Sequence, residues 1–262
     1  MGVFDRVVVG IDGTDFGFEA LHQTLALAPS TTAVHAVTAL DTGIAVHAGF
    51  NTGHVLSQLE EEAAKACAVA AQTMDGRLNG TATITKGDAK TVLRATRAEH
   101  DATLLALGGR SSSRFLGLLA GETATTLLHE ATQSMLLARP QGGEPWYPRR
   151  IVVGIDGSEC SLAALSVADE LAARLGSLVR VESATGGKQL DLEGSWSDRV
   201  ETWDPGHPVV TLLDRSIHAN LIIVGSRGLH GVHALGSVSE RVAHRAECSV
   251  LVVHQPASST QT

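Results

Sequence analysis

A glycine-rich loop near the end of the chain has the residue types and spacing of an anion-binding site. An apolar strand runs into Gly225 and Gly228, and after seven further residues Gly236 and Ser237 open a helix. Glycines allow backbone N–H groups to approach a ligand closely. A helix N-terminus adds N–H donors without intrahelical partners and a partial positive charge. Together these features predict an anion site at the loop, with phosphate as the favoured anion.

The chain is an internal repeat, so the parts of this loop occur twice. Segment Arg6–Thr14 (RVVVGIDGT) recurs as Arg150–Ser158 (RIVVGIDGS). Two later strands recur in the same order, 103–110 as 221–227 and 134–139 as 249–254. Three matches in one order indicate duplication. The domain limits that follow are residues 1–140 for the first copy, a linker rich in Pro and Gly at 141–149, residues 150–255 for the second copy, and a disordered tail at 256–262.

Each copy alternates apolar strands with helical stretches, which is the pattern of a parallel sheet covered on both faces. Right-handed crossovers predict an α/β fold, with each copy a doubly wound, Rossmann-like sheet of five strands in the order 3-2-1-4-5. The elements predicted for the first copy are strand 6–11, helix 15–28, strand 33–39, helix 53–78, strand 81–86, helix 88–100, strand 103–108, helix 121–131 and strand 134–138.

The second copy is shorter than the first by about one helix. Asp12 and Gly87 are 75 positions apart, whereas their counterparts Asp156 and Gly206 are 50 positions apart. A helix over 53–78 accounts for a difference of this size. We therefore predict that the second copy lacks its second helix.

The predicted strand order brings the repeated aspartate and the glycine loop together. Ligands of doubly wound sheets bind beyond the carboxyl ends of the strands, where the strand order reverses. Strands one and four are neighbours there, so Asp156 faces the loop and could accept hydrogen bonds from a ribose or position a metal. The N–H groups of 236–239 and the hydroxyls of Ser237 and Ser239 would bind phosphate, with Arg227 as the counter-charge.

The residues Gly225-x2-Gly228 and Gly236-Ser237-Val238, together with the GIDGS segment and the closing SVLVV strand, resemble the universal stress protein A family. The resemblance covers nearly the whole chain, as two tandem domains. It implies binding of ATP or a related adenine nucleotide, with Mg²⁺ as an optional companion ion. In the second copy it implies Asp156 and the backbone near Val181 beside the nucleoside. The corresponding residues of the first copy are Asp12, Val37, Gly108, Ser111 and Gly121.

Both loops depart from the family pattern of Gly, two residues, Gly, nine residues, Gly, and then Ser or Thr. The second copy has seven residues between Gly228 and Gly236. The first copy keeps nine, but Ser111 replaces a glycine and Glu122 replaces the Ser or Thr. A carboxylate about 5 Å from a phosphate costs roughly 3 kcal/mol at an effective dielectric of 20. We therefore expect the first copy to bind polyphosphate more weakly, unless Glu122 points into solvent.

Composition excludes several classes of protein. The net charge is −8 and the basic residues are dispersed, which argues against a nucleic-acid partner. No apolar run reaches membrane-spanning length, and three unpaired-looking cysteines suggest a reducing compartment, so a cytoplasmic location is expected. Histidines flank the loop without the neighbours that a metal site needs, and we predict no metal site and no catalytic residues.

The sequence favours a nucleotide-binding regulatory or stress-response module with no more than slow, incidental ATP hydrolysis. Three alternatives stay open: a weak ATPase, a cyclic AMP sensor, and a nucleotide-free interaction protein in which both loops are relics. The last strands of the two copies, 134–138 and 249–253, are apolar and lie at sheet edges in the predicted order. Bare apolar edges need cover, so we expect these strands to pair as an intrachain pseudo-dimer. A homodimer of chains is also open.

Overall fold

The computed structural model describes residues 2–43, 52–109, 121–141, 145–184, 200–204, 206–226 and 236–254. The chain divides into two compact units, residues 1–108 and 109–262. This division does not follow the repeat, because the last strand of the first copy belongs to the second unit. The domain limits inferred from the repeat stay predictions.

The first unit is a parallel sheet with helices packed on it. Its strands lie in the order β3-β2-β1-β4 and all run parallel. Val8 and Val9 of β1 and Leu104 of β4 are fully buried. The elements in chain order are β1 (Arg6–Gly10), α1 (Asp15–Leu27), β2 (Ala33–Leu40), α2 (Thr52–Thr73), β3 (Gly80–Lys86), α3 (Ala89–Glu99) and β4 (Leu104–Gly108).

Within its described residues, the second unit has six strands, which lie in the order β5-β10-β9-β6-β7-β8. All neighbours are parallel except β5 and β10, which pair antiparallel. Its elements in chain order are α4 (Glu122–His129), β5 (Ser134–Ala138), β6 (Arg150–Gly154), α5 (Glu159–Leu175), β7 (Leu178–Ala184), β8 (Val200–Asp204), α6 (Pro208–Ser216), β9 (Leu221–Gly225), α7 (Ser237–Arg245) and β10 (Ser249–Val253).

The predicted fold class is confirmed. The second copy, read as β8-β7-β6-β9-β10, has the order 3-2-1-4-5, and the first unit shows 3-2-1-4 for the first copy. Continuous runs such as Leu221–Gly225 form these strands because both faces of a parallel sheet are covered. The edge strand β3 instead alternates partly exposed and exposed residues.

The long helix of the first copy ends earlier than predicted. It was expected over 53–78, but α2 ends at Thr73 and a turn follows. Gly76 in this turn has φ +82°, a conformation that glycine adopts without strain and that ends a helix. Leu78, the last residue of the predicted helix, is 99% exposed.

The difference in length between the copies falls between their second and third strands. Residues 41–79 join β2 to β3, whereas residues 185–199 join β7 to β8. The first connection is longer by slightly more than the 22 residues of α2. The shorter connection lies outside the described residues, so the loss of the helix stays a prediction.

The apolar strands β5 and β10 cover each other within the second unit. The ladder pairs Leu137 with Val250 and Leu136 with Leu251, and all four side chains are fully buried. Two equivalent hydrogen bonds flank the ladder. The Arg139 N–H donates to Ser249 Oγ at 2.9 Å, and the His254 N–H donates to Ser134 Oγ at 3.1 Å.

Candidate functional site

The aspartate at the end of β6 is held by the turn that starts α5. Asp156 Oδ1 accepts hydrogen bonds from Ser158 N at 3.0 Å and from Ser158 Oγ at 2.6 Å. Gly157 makes the turn with φ +80°. Ser158 is the N-cap residue of α5, and its Oγ accepts from Ser161 N at 3.3 Å. The turn therefore fixes the Asp156 carboxylate at a half-buried position beside the helix N-terminus.

The first copy repeats this geometry. Asp12 Oδ1 accepts from Thr14 N at 3.0 Å and from Thr14 Oγ1 at 2.6 Å. Gly13 has φ +77°, and Thr14 Oγ1 accepts from Gly17 N at 3.3 Å as the N-cap of α1. Asp12 differs from Asp156 in being exposed. The turn gives both aspartates a structural role that requires no ligand.

The glycines at the ends of β4 and β9 are required by helix packing. A Cβ built on Gly225 would lie 2.5 Å from Cys160 O, in the first turn of α5. A Cβ built on Gly108 would lie 2.5 Å from Phe16 O, in the first turn of α1. Real Cβ atoms do not approach backbone so closely, so any side chain here would displace the helix. From the sequence, these glycines were expected to let a phosphate approach the backbone. In the structure, each lets the backbone of a helix approach the end of its strand.

The helices that follow the two glycine loops have no side-chain N-cap. The N-cap residue is Gly236 in α7 and Gly121 in α4. Neither of these N-cap residues has a side chain that could accept a hydrogen bond from the first amides of its helix. The other helices with a described N-cap are all capped by side chains, which are Thr14, Asp88, Ser158 and His207. The first amides of an α-helix have no acceptor within the helix. The start of α7 therefore offers amide donors at a position where the sequence predicted an anion.

Side chains near these helix starts have different surroundings. Ser239 is 5% exposed, and its Oγ donates to Gly225 O at 2.6 Å, which ties the first turn of α7 to the end of β9. Val238 is half-buried and Glu122 is exposed. The Ser237 side chain and all of Arg227, Gly228 and Ser111 lie outside the described residues.

The two ends of the predicted site are brought together by strand pairing. β6 and β9 are neighbours, with Gly154 opposite Val224. Asp156 and the segment after Gly225 therefore leave the same edge of the sheet. In the first unit Val7, Val8 and Val9 of β1 likewise face residues of β4, which places Asp12 and Gly108 at one edge.

Register corrects the correspondence on the predicted nucleoside side. Val37 lies opposite Gly10, but the residue opposite the equivalent Gly154 is Glu182, one position beyond Val181. The carbonyls of Val37 and Glu182 make the same hydrogen bond, accepting from Ile11 N and Ile155 N at 2.9 Å each. The connection between the first two strands is one residue longer in the second copy, so counting from the aspartates gave Val181.

Glu182 is a residue that the sequence reading missed. It is 1% exposed, and its Oε1 accepts from Arg180 Nε at 2.5 Å and from Arg215 Nε at 2.8 Å. Its Oε2 is buried and has no hydrogen-bond partner among the described residues. A buried carboxylate between two arginines thus occupies the place that Val37 has in the first copy. Only the strand register could have revealed it.

The fold and these strand-end turns define a tandem α/β protein with two related candidate anion sites. The family model described as "Universal stress protein family" matches residues 4–139 and 180–254. These segments make up most of the chain. The chain therefore belongs to the universal stress protein family, as the sequence motifs had indicated.

Individual relatives agree with this family. A universal stress protein of Mycolicibacterium smegmatis is 30% identical over 185 residues, covering 60% of this chain and 63% of the relative. One of Mycobacterium tuberculosis strain H37Rv is 28% identical, covering 59% and 62%. The chain thus matches about three fifths of the length of these curated relatives.

A solved structure supports the fold over the whole length. The crystal structure of a universal stress protein from Archaeoglobus fulgidus superposes with a TM-score of 0.72, covering 96% of this chain and 98% of its own. Its sequence identity is 20%, so the likeness concerns the fold alone. Within the described residues, no helix is both long enough and apolar enough to cross a membrane.

Proposed function

We propose that this universal stress protein binds ATP or a related adenine nucleotide, with or without Mg²⁺, as a regulatory or stress-response module. The second copy is the stronger site. Its phosphates would bind the N-terminal amides of α7, and its nucleoside would lie toward Asp156 and the end of β7. The first copy, with Glu122 at the start of α4, would bind polyphosphate more weakly.

The observation that carries this proposal is the start of α7. The helix begins at Gly236 without a side-chain cap, while its neighbours α5 and α6 are capped by Ser158 and His207. Amides at an N-terminus bind anions well because the helix dipole reinforces them. The same sheet edge carries Asp156, a hydrogen-bond acceptor suited to ribose hydroxyls. Amides for an anion and a carboxylate for a sugar are the donors and acceptors that a nucleotide needs.

A specific observation favours the rival in which the loops are relics. The Gly225 position is filled by the backbone of α5, and the Ser239 hydroxyl is already bonded to Gly225 O. A nucleotide-free interaction protein would have the same contacts. A cyclic AMP sensor differs from the main proposal only in the number of phosphate oxygens that meet α7. A weak ATPase would in addition turn ATP over well above background. We propose no catalytic residue, and we place the protein in the cytoplasm.

The pairing of β5 with β10 supports an intrachain pseudo-dimer as the working form. This ladder buries the apolar last strand of each copy against that of the other. A homodimer of two chains would need a further surface.

The amides of α7 can be tested by Ser237→Pro. Proline at the first helical position keeps the helix but removes one N–H donor. A hydrogen bond to a charged group contributes about 1.5–3 kcal/mol, so we expect ATP affinity to fall at least about tenfold by calorimetry. Ser237→Ala isolates the hydroxyl. Glu122→Pro, at the matching position of α4, should leave the tight site unchanged.

Two results would contradict the proposal. One is an ATP affinity that Ser237→Pro leaves unaltered in a protein with native circular dichroism. The other is the absence of nucleotide both in the ligand released from the purified protein, read by mass spectrometry, and in titration. About one adenine nucleotide per chain would support a single strong site.

A further inference from the structure

Two histidines and a glutamate from α4 and α7 form a cluster on the second unit. His129 is the last residue of α4, and Glu240 and His244 are four residues apart on one face of α7. One ligand atom from each side chain lies within 4.8 Å of the other two. His129 Nε2 and Glu240 Oε1 are already 3.2 Å apart.

The repeat explains why the two histidines meet. His129 lies five residues before Ser134, where β5 begins, and His244 lies five residues before Ser249, where β10 begins. They are therefore the same position of the two copies. Because β5 and β10 pair antiparallel, the helices that precede them, α4 and α7, lie close enough for these two histidine side chains to approach each other. Glu240 has no acidic counterpart in α4, where Thr125 stands.

The donor set is that of a divalent transition metal. Zinc is bound by imidazole nitrogens at about 2.0–2.1 Å and by carboxylate oxygens at about 2.0–2.2 Å, and its non-structural sites keep three protein ligands with one open position. Two imidazoles and one carboxylate match this set. Mg²⁺ and Ca²⁺ prefer oxygen ligands, so the two histidines select against them.

The surroundings allow a cation to reach and stay at the cluster. All three residues are half-buried, with side-chain exposures of 39% for His129 and 37% for Glu240. His129 and His244 stand in the last turns of their helices, where the helix dipole favours positive charge. The buried guanidinium of Arg139, which donates to Ala243 O, opposes this attraction, and the Glu240 carboxylate offsets it.

We propose that His129, Glu240 and His244 bind one divalent transition-metal ion of the zinc class, with a fourth coordination position open to water or to a donor from a partner. The site lies where the two copies contribute the same histidine, so the bound ion would link α4 to α7. None of these three residues is among those proposed to bind the nucleotide, although Glu240 stands in the first turn of α7.

The full-length protein, stripped of metal by a chelator, is titrated with Zn²⁺ against a chromogenic competitor. We expect one Zn²⁺ per chain, and at least about tenfold weaker binding for His129→Gln, Glu240→Gln and His244→Gln. His218→Gln is the matched control, because His218 is exposed in the turn after α6 and lies outside the cluster. It should bind like the wild type.

Cobalt distinguishes this site from the free cysteines Cys67, Cys160 and Cys248. Binding at the cluster would give the visible absorption of tetrahedral Co²⁺ without a thiolate charge-transfer band. A thiolate band, the absence of stoichiometric binding, or unchanged affinity in His129→Gln and His244→Gln would each overturn the proposal. The cobalt spectrum of the wild type tests it even where a variant does not fold.

Discussion

At the scale of single residues, the two copies place different chemistry at one position. Arg139 and His254 each follow the last strand of their copy, and each donates its N–H to the first serine of the other last strand. The Arg139 side chain is 1% exposed and donates to Cys248 O at 3.0 Å and to Ala243 O. Burial lowers the pKa of this guanidinium to about 10, so it stays charged at neutral pH. A buried guanidinium thus donates hydrogen bonds to carbonyl oxygens at and beyond the C-terminal end of α7.

Arg139→Met is expected to destabilise the protein by about 2–6 kcal/mol. The substitution leaves two buried carbonyls without their donor, at a cost of about 1–3 kcal/mol each. Urea unfolding followed by circular dichroism measures the loss. Arg241→Met, on the exposed face of α7, is the control and should stay within about 0.5 kcal/mol of the wild type. Equal stability of the two variants would show that the Arg139 contacts contribute nothing.

His254 should make stability fall in mild acid. Burial lowers the pKa of His254 to about 4, and a backbone contact at Ala131 partly offsets this effect. The unfolded chain, with a pKa of about 6.5, binds the proton first. His254 therefore does not lower the free energy of unfolding above about pH 6.5. Its titration lowers the free energy of unfolding progressively as the pH falls from there toward 4.

The loss due to His254 alone is about 2 kcal/mol at pH 5. His254→Gln removes this titration, so the difference in unfolding free energy between pH 7 and pH 5 should be smaller in the variant by that amount. His244 and His35, whose pKa values burial also lowers, titrate in both proteins and cancel. An identical pH dependence in the variant would refute the assignment to His254.

At the scale of elements, the contact of a strand end with a helix start is the constraint that recurs in both copies. α5 crosses β9 at Gly225, and α1 crosses β4 at Gly108. The approach is close enough to exclude a methyl group. Gly225 and Gly108, which the sequence assigned to phosphate-binding loops, therefore also set the distance between the sheet and the first helix of each copy.

Gly225→Ala should destabilise the protein by about 1–3 kcal/mol, the usual cost of overpacking. Its new Cβ would clash with the backbone of Cys160 in α5. Gly121→Ala is the matched control, because nothing lies within 4 Å of a Cβ built there and its φ is −59°. Thermal unfolding of both variants gives the comparison. A Gly225→Ala protein as stable as Gly121→Ala would mean that α5 shifts without cost.

The elements were predictable where local patterns decide them. Continuous apolar runs marked the strands, and the right-handed crossovers of a doubly wound sheet gave their order. Pairing across long distances was less accessible. The second copy has one more residue before β7, so Glu182 rather than Val181 is the counterpart of Val37. The contact between His129 and His244 depends on the antiparallel register of β5 and β10. The end of α2 was missed because the predicted helix ran past Gly76, which forms the turn after Thr73.

At the scale of the whole molecule, duplication has produced two copies with unequal features. Both keep the aspartate turn and the uncapped helix that follows the glycine loop. The first copy has Glu122 where the second has Ser237, and Val37 where the second has Glu182. The connection between the second and third strands is also longer in the first copy. The two copies therefore keep the same turns and helix starts but differ in the side chains at these positions.

The ladder between β5 and β10 also has a consequence for the order of events in synthesis. Its flanking hydrogen bonds join residues 110 and 120 positions apart. Contacts between distant residues form slowly, because a long loop must close first. β10 follows every other described strand along the chain, so β5 leaves the ribosome long before its partner exists. During that interval β5 presents an apolar edge that can pair with another nascent chain.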